Sequence, residues 1–168
     1  PETPGAVDFG AQPDSAFYGG GILPVGVAPQ GRSPLLRYPW ESVRAAFEAM
    51  SPGIDGSKLL RYTDPVGGGA VIPTLDCYAQ EIAAGQPTVA RRSTHNAIVV
   101  VVEGEGESQV GSQTLRWRKN DIFTLPHWNW IAHRSDRGAR LFLMTDRELL
   151  HRMGYLADEI QGGVAPAA

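Results

Sequence analysis

Cysteine, long apolar runs and blocks of like charge are scarce or missing in this chain of 168 residues. Cys77 is the single cysteine, so an internal disulfide framework is excluded and a reducing compartment, the cytoplasm, is expected. The longest apolar run, Ala97 to Val102, fits a buried strand and is too short to cross a membrane. The first residues also lack the charged and apolar regions of a signal peptide.

The charges exclude two further classes of protein. The 15 basic and 18 acidic residues are interspersed and give a net charge of −3. Because no basic patch or stripe stands out, we expect no nucleic-acid partner, and the short apolar runs predict no membrane partner. A hydrophobic content of 42% and a charged content of 20% are typical of an ordinary globular domain, long enough to bury a core.

The chain divides into three predicted regions. Glycine and proline clusters mark residues 1–57 as an irregular N-terminal arm. One helix is predicted within it, over residues 40–50, because apolar residues recur there at the spacing of one helical face: Trp40, Val43, Phe47 and Met50. Residues 58–145 are predicted to form a β-barrel. Residues 146–168 are expected to contain a short C-terminal helix, 146–155, and the flexible tail GGVAPAA, 162–168.

Short strands fill the predicted barrel, so the fold class is all-β. The candidates are Lys58–Tyr62, Leu75–Ile82, Ala97–Glu103, Glu107–Val110, Gln113–Arg118, Asp121–Leu125, Trp130–Arg134 and Arg140–Thr145. The pair Gly111-Ser112 predicts a two-residue hairpin of type II′, which needs glycine first. The run GEGE at 104–107 is also predicted to be a hairpin turn, since no helix follows it as a nucleotide loop would require.

Two segments of the predicted barrel keep the spacing of the cupin metal motifs. The common cupin pattern is G-x5-H-x-H-x3-4-E-x6-G, followed by G-x5-P-x-G-x2-H-x3-N. Here Arg91 and Ser93 take the places of the first two histidines, and Ile131 takes the place of the third. The chain therefore resembles a cupin, a double-stranded β-helix or jelly-roll barrel, in which every metal-ligand position is substituted.

Longer segments resemble gentisate 1,2-dioxygenase and the related enzymes that cleave salicylate and 1-hydroxy-2-naphthoate. The resemblance covers roughly residues 18 to 158, and it is carried above all by LLRYTDPVGGGAVIPTLDCY (59–78), STHNAIVVVVEGEGES (93–108) and LRWRKNDIFTLPHWNW (115–130). Those enzymes are two cupins in tandem, of which the first holds Fe(II) through three histidines and the second is often metal-free. This chain is similar to the second, the C-terminal half.

The resemblance implies a chain without a metal or catalytic residues of its own. Its expected partners are the N-terminal catalytic cupin of the same protein, which carries Fe(II), and further copies in a homo-oligomer. The side chains at the three positions also make a metal site unfavourable. The guanidinium of Arg91 has no lone pair, Ser93 is a poor ligand alone and Ile131 cannot ligate. If the chain is a severed half, the surface that meets the other cupin should be exposed and apolar, so we expect at least a dimer.

Two histidines leave an alternative open. His95 and His133 lie two residues past Ser93 and Ile131 and would share their faces in a strand. A shifted metal site is conceivable, for which the weak candidates as third ligand are Glu103, Asp121 and His127. We favour structural or surface roles for both histidines.

Arginines and tryptophans suggest a second possible site. Arg91 and Arg92 could bind a carboxylate through their planar forks, although Arg91 could instead pair with an internal acid. Trp128 and Trp130, near the expected barrel mouth, could line a pocket for an aromatic ring or fill an interface, whereas Trp117 suits the core. The alternative function is thus a free-standing cupin that binds a small aromatic carboxylate as sensor or carrier.

Overall fold

The structure is a computed structural model that describes residues 38–64 and 68–162. Predictions for residues 1–37 of the arm and 163–168 of the tail lie outside the described residues. No helix among those described is both long and apolar enough for a membrane span.

The strands of the described part join in one curled, nine-stranded sheet, as the all-β prediction requires. They are β1 (Lys58–Arg61), β2 (Asp76–Ile82), β3 (Arg91–Ser93), β4 (Ala97–Val110), β5 (Gln113–Arg118), β6 (Ile122–Leu125), β7 (Ile131–Arg134), β8 (Ala139–Thr145) and β9 (Asp158–Ile160). The order is β1-β2-β8-β4-β7-β3-β9, and β5 and β6 also pair with β4. All of these pairings are antiparallel.

Strand β4 is continuous, so the prediction of a hairpin at residues 104–107 is wrong. Its first half pairs with β8 and its second half with β7, with a register shift between Val101 and Glu103. Gly104 has φ +87°, and a Cβ there would lie 2.5 Å from the carbonyl oxygen of Gly138. The glycines of the run 104–107 therefore allow the strand to bend and neighbouring backbones to come close, and they do not reverse the chain.

The predicted hairpin at Gly111-Ser112 is confirmed. Val110 pairs with Gln113 across it, so two residues connect β4 and β5. Gly111 has φ +58° whereas Ser112 keeps a negative φ, as a type II′ turn requires.

Alternating residues of β4 and β8 fill the inside of the curled sheet. The buried apolar cluster includes Val99, Val101, Leu141, Leu143, Ile82 and Trp117. Each fully buried aliphatic side chain contributes about 1.5–3 kcal/mol relative to exposure, so this cluster holds the two halves of the sheet together.

The predicted helix of the arm is confirmed as α1 (Trp40–Ala49). Val43 and Phe47 are buried against Ala79, on the outer face of β2. The Nζ of Lys58 donates to the carbonyl oxygen of Phe47, at 2.7 Å, near the C-terminal end of the helix. Because its N-cap residue, Pro39, makes no side-chain cap, α1 depends mainly on this packing.

The C-terminal region differs from its prediction in two ways. The helix is shorter, α2 (Arg147–Arg152), and the residue that it buries is Glu148, whereas Leu149 is exposed. Glu148 accepts hydrogen bonds from Arg61 and Arg152, at 2.8 and 2.7 Å. Strand β9 then follows between the predicted helix and the predicted flexible tail, where no element was predicted.

Strands β3 and β9 were not predicted, because three polar or mixed residues carry no periodicity that indicates a strand. They form by pairing with each other, Arg92 opposite Glu159 and Ser93 opposite Asp158. Their existence depends on tertiary pairing rather than on local propensity.

Replacing Gly106 with alanine should destabilise the fold by about 1–3 kcal/mol or more, the cost of overpacking. A Cβ on Gly106 would overlap the carbonyl oxygen of Arg134 and lie 2.6 Å from the Trp117 ring. Urea denaturation measures the change in the free energy of unfolding. Gly69→Ala is the matched control, since its Cβ would meet nothing within 4 Å. Equal stability of the two variants would contradict the close packing at Gly106.

Candidate functional site

A cavity of about 550 Å³ lies inside the curled sheet, where its two edges face each other. Leu59 of edge strand β1 and Ile160 of edge strand β9 both line it, together with Tyr78 of β2, Leu143 of β8 and residues of the loop after α1. The cavity is therefore bounded by both ends of the sheet order, and the 50–57 segment adds a wall.

Two of the three substituted metal positions, those of Arg91 and Ile131, lie side by side, and Ser93 follows on the same strand as Arg91. Arg91 of β3 pairs in register with Ile131 of β7. Arg91 lines the cavity, whereas Ile131 packs against the apolar core. Ser93 faces Asp158 of β9, and its carbonyl oxygen accepts from the backbone N–H of Trp128 at 2.7 Å.

These three residues do not fit an iron ion. A three-histidine site needs neutral imidazoles, and this set offers a guanidinium, a hydroxyl and an aliphatic side chain. The Ser93 hydroxyl oxygen also accepts from the backbone N–H of His95 at 3.4 Å. Among residues 38–64 and 68–162, no three His, Cys, Asp or Glu side chains are grouped so that they could hold a metal.

Arg91 has an acidic neighbour, but the pair is loose. Its Nη1 lies 3.7 Å from Oδ2 of Asp55, beyond hydrogen-bond distance. Asp55 is buried, and its carboxylate accepts from the backbone N–H of Ser57 at 3.0 Å and from the Ser57 hydroxyl at 2.9 Å. Gln80 completes this network, since its Nε2 donates to the Ser57 hydroxyl at 3.0 Å.

His95 lines the same cavity as Arg91. Burial lowers its pKa, and the positive charges of Arg147 and Arg91 lower it further, against the opposing effects of the Asn96 carbonyl and Asp158. Its Nδ1 lies 3.3 Å from the carbonyl oxygen of Asn96. The neutral ring therefore donates from Nδ1 to that carbonyl, which leaves Nε2 as an acceptor.

His133 lies in the core and is already engaged. Its Nδ1 is 2.7 Å from the Ser108 hydroxyl oxygen, which also accepts from Nε1 of Trp117 at 2.7 Å. The Ser108 hydroxyl is thus free to donate to a neutral His133. Burial above all, and then the charge of Arg91, lower the pKa of His133 to about 4, against an opposing effect of Asp55.

Two of the candidate third ligands of a shifted site, Glu103 and Asp121, use their carboxylates for other partners, whereas His127 makes a backbone contact. Glu103 accepts from Nε1 of Trp40 and from Arg140. Asp121 accepts from the backbone N–H of Arg118, and the backbone N–H of His127 donates to Asn96. The described structure does not bring any of these three together with His95 and His133 as a metal-binding group.

Trp128 and Trp130 contact an arginine instead of lining the cavity. The guanidinium of Arg92 lies 4.4 Å from the ring centroid of Trp128 and 4.7 Å from that of Trp130. Both distances are within the range of a cation–π interaction. The Nε of Arg92 also donates to Glu159 at 2.8 Å, so its charge is compensated although Arg92 borders the cavity.

Sequence reasoning missed several residues of the cavity. Arg147 binds Asp158 with two hydrogen bonds of 2.8 and 2.6 Å across a turn that no motif marks. Burial works to raise the pKa of Asp158, but the hydrogen bonds from Arg147 and Ser93 outweigh it and the pKa is lowered. Burial, and then the charge of Asp76, raise the pKa of Tyr78 to about 12. Asp76, within the predicted strand Leu75–Ile82, was a sequence signal that a carboxylate on the inner face needs a cationic partner.

The buried His133 should make the stability of the protein depend on pH. Its pKa is about 4 when folded against an ordinary value of 6.5, so between these values only the unfolded chain takes up the proton. Protonation of His133 in the unfolded chain therefore lowers the free energy of unfolding as the pH falls from 6.5 towards 4. The full loss is about 3 kcal/mol, and above pH 6.5 there is none. Urea denaturation between about pH 7 and pH 4 should give a flatter stability profile for His133→Asn than for the parent. The exposed His127 provides the control, His127→Asn, and parallel profiles of the parent and His133→Asn would contradict the expectation.

Known relatives of the chain are aromatic-ring dioxygenases. It is similar to 5-aminosalicylate 1,2-dioxygenase of Comamonas sp., 33% identical over 79% of this chain and 37% of that protein. It is also similar to gentisate 1,2 dioxygenase 1 of Aquipseudomonas alcaligenes, 32% identical over 83% of this chain and 42% of that protein. The chain thus spans about 40% of the length of these curated relatives. It matches no protein-family model.

A solved structure agrees with the sequence comparison. Salicylate 1,2-dioxygenase from Pseudoaminobacter salicylatoxidans, in an adduct with gentisate, superposes with a TM-score of 0.72 at 25% identity, over 83% of this chain and 42% of that one. The predicted cupin fold is confirmed. The chain belongs to the gentisate 1,2-dioxygenase family and is a cupin domain of that family.

Proposed function

We propose that the chain is the C-terminal, metal-free cupin of a gentisate-type ring-cleaving dioxygenase, with a structural role. The observation that carries this proposal is the set Arg91, Ser93 and Ile131, which occupies the three ligand positions without one imidazole. The relatives, of which the chain spans about 40%, have room for a second cupin.

The chemistry supports a division of labour between two cupins. Addition of O₂ to an aromatic acid is redox chemistry that a metal such as Fe(II) supplies, while the protein provides position and electrostatics. The permanent positive charge of Arg91 would repel a divalent cation in this cavity. Fe(II), substrate contacts and ring cleavage are therefore assigned to an N-terminal catalytic cupin. A cytoplasmic location, expected from the single cysteine, is part of the same proposal.

A partly exposed apolar surface supports the packing role. We call it the outer apolar face, and it consists of Ile98, Val100, Ile122, Phe142 and Met144. Val100 pairs with Ile122 on one side and Phe142 on the other, and Ile98 pairs with Met144, so the five side chains share one face of the sheet. Ile122 is 68% exposed and Ile98 43%. Such a patch is typical of a surface that meets another domain or copy.

The purified chain should hold iron well below one ion per molecule and should not turn over gentisate alone. Elemental analysis after growth with added iron, together with an oxygen-uptake assay, measures both. Stoichiometric iron accompanied by gentisate turnover would overturn the proposal.

A gain-of-ligand variant is the control for the metal measurement. Arg91→His, Ser93→His and Ile131→His combined should bind a divalent metal more tightly than the parent, since register already brings Arg91 and Ile131 together. Equal metal content in the two proteins would show that substitution of the ligands is not what keeps metal out.

The chain should form at least a dimer in solution, because self-association covers the outer apolar face when the other cupin is absent. Light scattering of the parent measures the oligomeric state. Ile98→Lys combined with Ile122→Lys should shift it towards the monomer. Met153→Lys is the matched control, since Met153 is 54% exposed and lies off that face, after α2. A monodisperse monomer of the parent at high concentration would contradict the expectation.

A further inference from the structure

The cavity has the size and composition of a small-molecule site. Its volume of about 550 Å³ falls within the roughly 300–1,000 Å³ of such sites. Leu59, Leu143, Ile54 and Ile160 give it apolar walls, and a few polar groups converge on the remainder. Ligand pockets share this division between apolar walls and a small number of placed polar groups.

Three arginines line the cavity, and two of them are neutralised by partners. Arg147 makes two hydrogen bonds to Asp158, so its fork is filled. Arg92 pairs with Glu159 and lies over two tryptophan rings. Neither guanidinium has the open geometry that an added anion needs.

Arg91 is different, because no described residue accepts a hydrogen bond from its guanidinium. Its acidic neighbour, Asp55, is 3.7 Å away, and the carboxylate of Asp55 is held by Ser57. An arginine offers five N–H donors in a planar fork that matches a carboxylate. The cavity therefore contains a cation whose donors are largely unused.

We propose that this cavity binds a small organic acid with one carboxylate and a ring-sized apolar body, and that Arg91 binds its carboxylate. The apolar walls receive the body of the ligand. Nε2 of His95, left as an acceptor by the bond from Nδ1 to Asn96, suits a ligand hydroxyl. This ligand site is independent of the proposed structural role, because a metal-free cupin that packs against a partner can have its cavity either empty or filled by a ligand.

Titration calorimetry with salicylate and gentisate tests the site, with phenol as the probe that lacks a carboxylate. At least one acid should bind saturably and phenol should not. Arg91→Ala should weaken binding about tenfold or more, the usual effect of losing hydrogen bonds to a charged group. Arg91→Lys should lose part of the affinity, because the charge stays while the fork is lost.

Two further variants separate ligand binding from a purely structural role of Arg91. Asp55→Asn removes the competing negative charge and keeps an acceptor for Ser57, so it should tighten binding of the acid. Arg116→Ala is the matched control, since Arg116 is highly exposed and lies outside the cavity. If Arg91→Ala does not fold, as judged by circular dichroism, NMR titration of the parent decides. Shifts should then concentrate at Arg91, His95 and Tyr78.

The proposal is overturned if neither acid titrates saturably, or if Arg91→Ala binds as the parent does. Shifts confined to the separate cleft around Arg116 and Arg134, which shares no lining residue with the cavity, would overturn it equally. These outcomes leave the iron measurement untouched, so failure of the ligand site and failure of the structural role are separate results.

Discussion

Strand β4 must belong to both halves of the curled sheet at once, and the rest of the barrel depends on this constraint. It pairs with β6 and β8 along its first half and with β5 and β7 along its second. The strand can change partners only by bending, and Gly104 and Gly106 allow the backbones of neighbouring strands to approach there. The bend also determines the position of β7, which in turn pairs with β3. Arg91 and Ile131 therefore lie side by side.

Ion pairs link the elements that surround the cavity. Arg61 joins β1 to Asp76 of β2 and to Glu148 of α2. Arg147 joins α2 to Asp158 of β9. Such pairs give little net stability where water reaches them, but removing one partner leaves a buried charge without compensation. Their main effect is therefore to fix where α2 and β9 lie, and so to define the wall opposite β1.

Patterns with a local physical cause could be predicted from the sequence. The face of α1 follows from helical spacing, and the hairpin follows from a glycine at the position that needs positive φ. The motif spacing also predicted that Arg91 and Ile131 meet. Glycine was ambiguous at residues 104–107, because a turn and a close backbone contact both favour it. Strands β3 and β9, and the contact of Arg92 with Trp128 and Trp130, depend on pairing between distant segments and left no local signal.

A structural role accounts for the sheet and its outer apolar face but not for the cavity. Filling that space with apolar side chains would stabilise the barrel by about 25 cal/mol for each Å² buried. The ion pair of Arg91 with Asp55 makes up for little of this lost stabilisation. At 3.7 Å and with a partly exposed guanidinium, it contributes about 1 kcal/mol at most. A ligand that fills the cavity and the arginine fork supplies the missing interactions. The two roles do not compete for residues, since β8 points Leu143 into the cavity and Phe142 and Met144 to the outer apolar face.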